Sequence, residues 1–265
     1  MRTSRFQQNS QSAFTFIELL SIIAVIALLS FLILPALAHA GTKSPAAGCI
    51  NNMRQLMIGW SMYKEDNNDF LMPNAPAGTS GAAWINPLGV EGWSYILSNT
   101  NLAYLTGGLM GPYVAKDFRL FKCPADIVPS ANGQRVRSYS MNGQMAGGTA
   151  AAGFNPGALV YNKGSDLTCP APANAFVFCD EHPGSINDGM LQVNSQTPIF
   201  PDVPASYLDG ACGFGFADGH AEIHKWKTPS LLIQVTPGYT VYNIALGGNN
   251  VDWLWFTQHA ACNHR

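Results

Sequence analysis

Charge is scarce in this chain. Asp, Glu, Lys and Arg make up 11% of its 265 residues and the net charge is −2, so there is no basic surface to follow a phosphate backbone, and nucleic acid is not an expected partner. The six cysteines (Cys49, Cys123, Cys169, Cys179, Cys212, Cys262) include no Cys-x-x-Cys pair, and spacing therefore gives a thiolate zinc site little support. No Gly-x-Ser-x-Gly elbow and no repeat period occur. Catalysis has no specific signal, and the chain reads as not an enzyme. Acid is missing altogether from the first 13 residues, which carry Arg2 and Arg5.

What the chain does have is an apolar run over 14–38, in which Glu18 is the one ionisable side chain. About 20 such residues suffice to span a bilayer. Arginines ahead of the run would keep the head cytoplasmic and send the remainder outward. A carboxylate in that setting costs roughly 2.5 kcal/mol or more, so Glu18 calls for a partner and a function. The plain alternative is a secretory signal cut at Ala38-His39-Ala40, but a discarded signal gains nothing from an acid in its apolar core.

Ala13-Phe14-Thr15-Phe16-Ile17-Glu18, with Pro35 late in the run, resembles the signature of type IV prepilins and type II secretion pseudopilins. That family usually has Gly where this chain has Ala13. The resemblance implies a leader 1–13 removed by a prepilin peptidase between Ala13 and Phe14, methylation of the new Phe14 amine, and assembly through Glu18. In a filament the Glu18 carboxylate would meet the Phe14 ammonium of a neighbouring copy, an ion pair that is costly to break by removing one member.

Downstream, Ile50, Met53, Leu56, Met57, Trp60 and Tyr63 recur at helical spacing, predicting an amphipathic helix over 49–66. Together, 14–66 reads as one N-terminal helix, transmembrane over 14–38, with a kink or break near Gly41 to Pro45 because glycine and proline oppose helix there. Residues 67–265 read as an extracytoplasmic globular domain, in which cysteines can pair. Ala175 to Cys179, Gly213 to Ala217 and Ala221 to Trp226 are strand candidates, and Val251 to Phe256 a final edge strand. Trp93 to Leu97 suggests a short helix, Gly111 to Val114 a loop, and Ala146 to Gly157 a mobile small-residue loop. The expected fold is α+β and pilin-like: a long N-terminal transmembrane helix packed on an antiparallel sheet with long loops.

Phe121-Lys122-Cys123-Pro124-Ala125-Asp126, Arg137 to Gly143 and Phe216-Ala217-Asp218-Gly219-His220 resemble a prepilin-type group of planctomycete and verrucomicrobial lineages marked by His-x9-Asp-Gly. The histidine position of that motif is Leu208 here. The resemblance implies a structural subunit of a pseudopilus or pilus-like filament, anchored in the inner membrane with its C-terminal domain in the periplasm or at the cell surface. The implied partners are the peptidase, copies of itself and other pseudopilins.

The polar residues Asp180, Glu181, His182, Asp188, Asp209, Asp218, His220 and His224 lie in Gly- and Asn-rich surroundings. Acids on flexible loops suit a hard cation, and pseudopilins as a family carry a structural calcium. Asp180, Asp188, Asp218 and His220 are therefore the candidate metal ligands, with Ca2+ as the cofactor. The competing reading makes Asp188-Gly189, Asp209-Gly210 and Asp218-Gly219 tight turns. His220, Glu222 and His224 would share a strand face. Trp60, Trp84, Trp93, Trp226, Trp253 and Trp255 read as core more readily than as a glycan platform. The rival to a filament subunit is a membrane-anchored exported binding or metal-dependent hydrolytic domain.

Overall fold

The computed structural model describes residues 16–26, 44–76, 78–79, 81–86, 97–247 and 250–264. Contacts divide the chain into two units, Met1–Lys43 and Ser44–Arg265. In the first, residues 16–26 are helical (α1) and all are exposed. Among the described residues no helix is long and apolar enough to cross a membrane. The expected transmembrane helix over 14–38 is corrected accordingly: its described part is a helix at 16–26, about half of the ~20 residues a bilayer requires, and 14–15 and 27–38 lie outside the described residues. Ala13, Phe14 and Gly41 lie outside the described residues.

The second unit opens with α2 (Pro45–Asp66), which has proline in its first turn. Proline there forfeits only an amide that a helix start leaves unpaired, and its fixed φ favours the helix. Pro45 therefore begins a helix instead of kinking one. The stripe expected over 49–66 is the packed face: Met53, Leu56, Met57 and Trp60 are buried, joined by Cys49 and Gly59, while Ile50 and Tyr63 sit at its border.

Beneath α2 lies a five-stranded sheet in the order β3-β1-β2-β5-β6. Its strands are β1 (Tyr139–Asn142), β2 (Phe176–Asp180), β3 (Met190–Leu191), β5 (Ala211–Phe216) and β6 (Ala221–Lys225); β4 (Ile199–Phe200) and β7 (Ile244–Ala245) form a separate antiparallel pair. The sheet is mixed rather than antiparallel, because β1 and β3 run parallel. Parallel neighbours cannot be joined by a hairpin; here β2 and the loop after it lie between them in sequence. Strand candidates at 175–179, 213–217 and 221–226 correspond to β2, β5 and β6.

Two of the loop and strand expectations are also corrected. Val251 to Phe256 is no edge strand but the start of α5 (Val251–Ala260). The Asn250 side chain accepts hydrogen bonds from the amides of Asp252 (3.0 Å) and Trp253 (3.3 Å), capping the helix. Asp252, Phe256 and Ala260 then bury one face at spacings of four. Within Ala146 to Gly157, expected as loop, Gly148–Phe154 forms the helix α4, with Ala151 buried. Gly111–Val114 is a 3-10 turn, α3 (Ala103–Thr106) is a single turn, and Trp93 falls outside the described residues.

The central strands β2 and β5 are buried throughout because both faces of the sheet are covered. On one face α2 packs with Trp84, Phe121 and Phe178; on the other α5 packs with Phe176, Phe200, Phe214 and Trp226. Trp60, Trp84 and Trp226 are core residues, and Trp253 and Trp255 pack against the core. The one disulfide among the described residues joins Cys169 to Cys262.

α2 lies close to β5 because Gly213 and Gly215 present no side chain to it. A Cβ on Gly213 would stand 2.8 Å from Cys49 Sγ, and one on Gly215 would stand 3.0 Å from Met57 Cγ. Gly213→Val and Gly215→Val are expected to lower stability by about 1–3 kcal/mol through overpacking. Gly153→Ala, exposed on α4 with open space around the missing Cβ, is expected to change it little. Denaturant unfolding of the three variants measures the contrast.

Candidate functional site

Asp180 closes β2, and its side chain turns to the α2 face of the sheet. It is fully buried, as are Cys49 on α2 and Cys123, which follows the 3-10 turn Phe118–Phe121. One donor atom from each of the three falls within 4.8 Å of the others. The Cys49 thiol donates to Asp180 Oδ2 at 3.7 Å, Tyr139 Oη donates to Cys49 Sγ at 3.4 Å, and the Tyr207 hydroxyl donates to Asp180 Oδ1. Ser138 Oγ accepts the Cys123 amide at 2.8 Å, fixing the turn that carries the thiol. Burial lifts the Asp180 carboxyl to about 7. The Cys123 thiol is raised as well, first by its hydrogen bond to Cys49 and then by burial.

Glu181 and His182 continue the chain into a second buried network. Glu181 Oε1 accepts from Ser185 Oγ at 2.7 Å and Oε2 accepts from Ser140 Oγ, while Arg137 donates to Ser140 Oγ at 2.9 Å and to the Asp188 carbonyl. Asp202 accepts the Gln192 amide at 2.7 Å. Burial drives Glu181 well above the usual carboxylate range, with Asp202 adding to it, and lifts Asp202 to about 8. His182 moves down to about 4, because burial and the Arg135 charge both disfavour its protonated form.

The four metal ligands expected from sequence are not brought into one cluster. Asp180 is engaged as described. Asp188 is buried and its Oδ1 accepts the Met190 amide at 2.7 Å. Asp218 and His220 share the β5–β6 turn, where Asp218 Oδ1 holds both the His220 amide (3.1 Å) and its Nδ1 (2.6 Å). Among the described residues, the group of His, Cys, Asp and Glu side chains able to hold a metal ion is Cys49, Cys123 and Asp180. A hard cation needs six or more convergent oxygens; a donor set with two thiols does not fit calcium. His224 is likewise occupied, stacked on Trp255 at 3.6 Å between centroids and 3.7 Å from Asp252.

Of the processing residues, Glu18 sits in α1, where its carbonyl accepts from Ser21 Oγ at 2.8 Å; Ala13 and Phe14 are outside the described residues. Leu208 is half-buried against the α2-side core. The sequence does not reveal the two thiols beside Asp180, because Cys49 and Asp180 are 131 residues apart and no Cys-x-x-Cys spacing marks the pair.

The buried acids set a pH dependence. Asp202, at about 8, and Asp180, at about 7, are raised above their unfolded values near 4. The folded state thus keeps protons that the unfolded state has lost. That stabilisation is complete below about pH 4 and is lost as pH rises through about 7 to 8. His182 acts in the opposite sense, but only below its unfolded value near 6.5. The melting temperature is therefore expected to fall between about pH 6.5 and pH 8, and Asp202→Asn is expected to flatten that fall in thermal melts.

No family model, no curated protein and no solved structure matches this chain.

Proposed function

We propose that the chain is a structural subunit of a type II secretion pseudopilus or a type IV pilus-like filament. One observation carries the reading furthest: α1 is apolar apart from Glu18 and Ser21, and exposed along its length. Phe16 and Ile17 are 75% and 78% exposed, and Ile22, Ile23, Val25 and Ile26 are all exposed as well. A helix whose polar side chains are one carboxylate and one hydroxyl is stable in water only when something covers the rest of it. Copies of the same helix, side by side, provide that cover.

The motif Ala13 to Glu18 supplies the rest. A prepilin peptidase removes 1–13, the Phe14 amine is methylated, and Glu18 pairs with the Phe14 ammonium of the next copy to set the axial register. Before assembly, the apolar N-terminal segment holds the chain at the inner membrane with the folded unit on the outer side. The Cys169–Cys262 disulfide supports an oxidising compartment for that unit. Head-to-tail contacts that do not close on themselves then extend a filament. The role is mechanical, not enzymatic, and the partners are the peptidase, further copies and other pseudopilins.

Intact-mass analysis of the mature protein is expected to find a chain beginning at methylated Phe14. A chain beginning at Met1, or after Ala40, would overturn the reading. Glu18→Ala is expected to leave the folded unit's melting temperature unchanged while abolishing incorporation into filaments, scored by recovery in the sheared surface fraction.

A further inference from the structure

We propose that Cys49 Sγ, Cys123 Sγ and an Asp180 carboxylate oxygen bind one zinc ion, which pins α2 and the Phe118–Phe121 turn to the end of β2. The three donors lie within 4.8 Å of one another and come from α2, the segment after the Phe118–Phe121 turn, and β2. Zinc takes sulfur at ~2.3 Å and carboxylate oxygen at ~2.0–2.2 Å, so small side-chain rotations bring all three to one centre. Two thiolates select a borderline-soft ion over calcium or magnesium, and the carboxylate disfavours an all-soft ion such as Cu(I).

The surroundings have the features that orient metal ligands. Tyr139 Oη donates to Cys49 Sγ, Tyr207 Oη donates to Asp180 Oδ1, and Ser138 Oγ anchors the Cys123 amide. Such hydrogen bonds fix ligand direction and tune ligand basicity. Cys123, itself fully buried, borders a cleft of about 660 Å³ together with Asn52, Lys122, Pro124 and Arg135, so a local opening of that wall admits the ion. A water carried in with the ion fills the fourth position. A Cys49–Cys123 disulfide is the rival outcome. It gives no role to the fully buried Asp180 carboxylate that touches both thiols, whereas a cation uses all three groups. The ion is structural, since its ligands are buried and tie elements together, and it is independent of the filament reading.

The test uses the full chain purified anaerobically. Elemental analysis is expected to find one zinc per chain after zinc loading and desalting. Chelation is expected to lower the melting temperature by roughly 5 °C or more. Cobalt replacement is expected to give thiolate-to-cobalt charge-transfer absorption with tetrahedral d–d bands. Cys49→Ser and Cys123→Ser are expected to lose both binding and that absorption, and Cys179→Ser to retain them. The cobalt spectrum of the unaltered chain decides the matter even if the serine variants fail to fold. Failure to take up zinc, a cobalt spectrum without the thiolate band, zinc retained by both serine variants, or a Cys49–Cys123 disulfide in peptide maps of the anaerobic chain would each overturn the proposal.

Discussion

The close approach of α2 to β5 is the constraint from which most of the folded unit follows. Gly213 and Gly215 remove side chains from one face of a central strand, and Cys49, Met53 and Met57 settle into the space. The opposite face of the same strand carries Cys212, Phe214 and Phe216, packed with Phe176, Phe256 and Trp226. A strand with glycine on one side and aromatics on the other sets two different packing distances. A helix lies tight against the first face, and a thicker aromatic layer fills the second. Burial of both faces explains why β2 and β5 show no polar alternation, as expected of strands covered on two sides.

That approach also dictates the electrostatics. With α2 lying over the end of β2, water is excluded from Asp180, and the chain continues directly into Glu181 and His182, which are equally buried. Isolated charge at such depth costs several kcal/mol, so each acid is surrounded by hydroxyl or amide donors. Tyr207 serves Asp180, Ser140 and Ser185 serve Glu181, and the Gln192 amide serves Asp202. Arg137 spans β1 and the Asp188 loop through two carbonyls and Ser140. A hydrogen-bonded network of this kind specifies one arrangement of loops that apolar packing alone would leave interchangeable.

How far the fold was legible follows from the kind of signal each element carried. The α2 stripe and the alternation over 221–226 were readable because periodicity is local, and the strands near 175–179 and 213–217 because each is a short apolar run between turn residues. The Val251 to Phe256 segment misled because aromatic and branched residues favour strand, while the Asn250 cap and the four-residue spacing of Asp252, Phe256 and Ala260 decide for helix. At Pro45 the expected interruption is present as non-helical backbone at Ser44, but a proline that breaks a helix and one that begins it differ only in which side the helix lies on. The thiol–carboxylate cluster was not readable. Its three members are distant in sequence, and only the glycines of β5, invisible as a signal until α2 is docked, bring them together.

The scarcity of charge that marks the chain bears on both of its units. A filament places many copies within a Debye length of one another, and repulsion between them grows with the net charge of each. In the proposed filament the chain has lost residues 1–13 with Arg2 and Arg5, and its remaining 252 residues, with net charge −4, would bring little repulsion to that packing. It also leaves exposed apolar side chains such as Ile58 and Met62 on the outer side of α2 and Ile127 and Phe118 near the Cys123 turn. On a solitary domain these residues weaken solubility; between neighbouring copies they are ordinary interface material. The filament reading therefore accounts for bare apolar surface on the folded unit by the same physical reasoning that applies to α1.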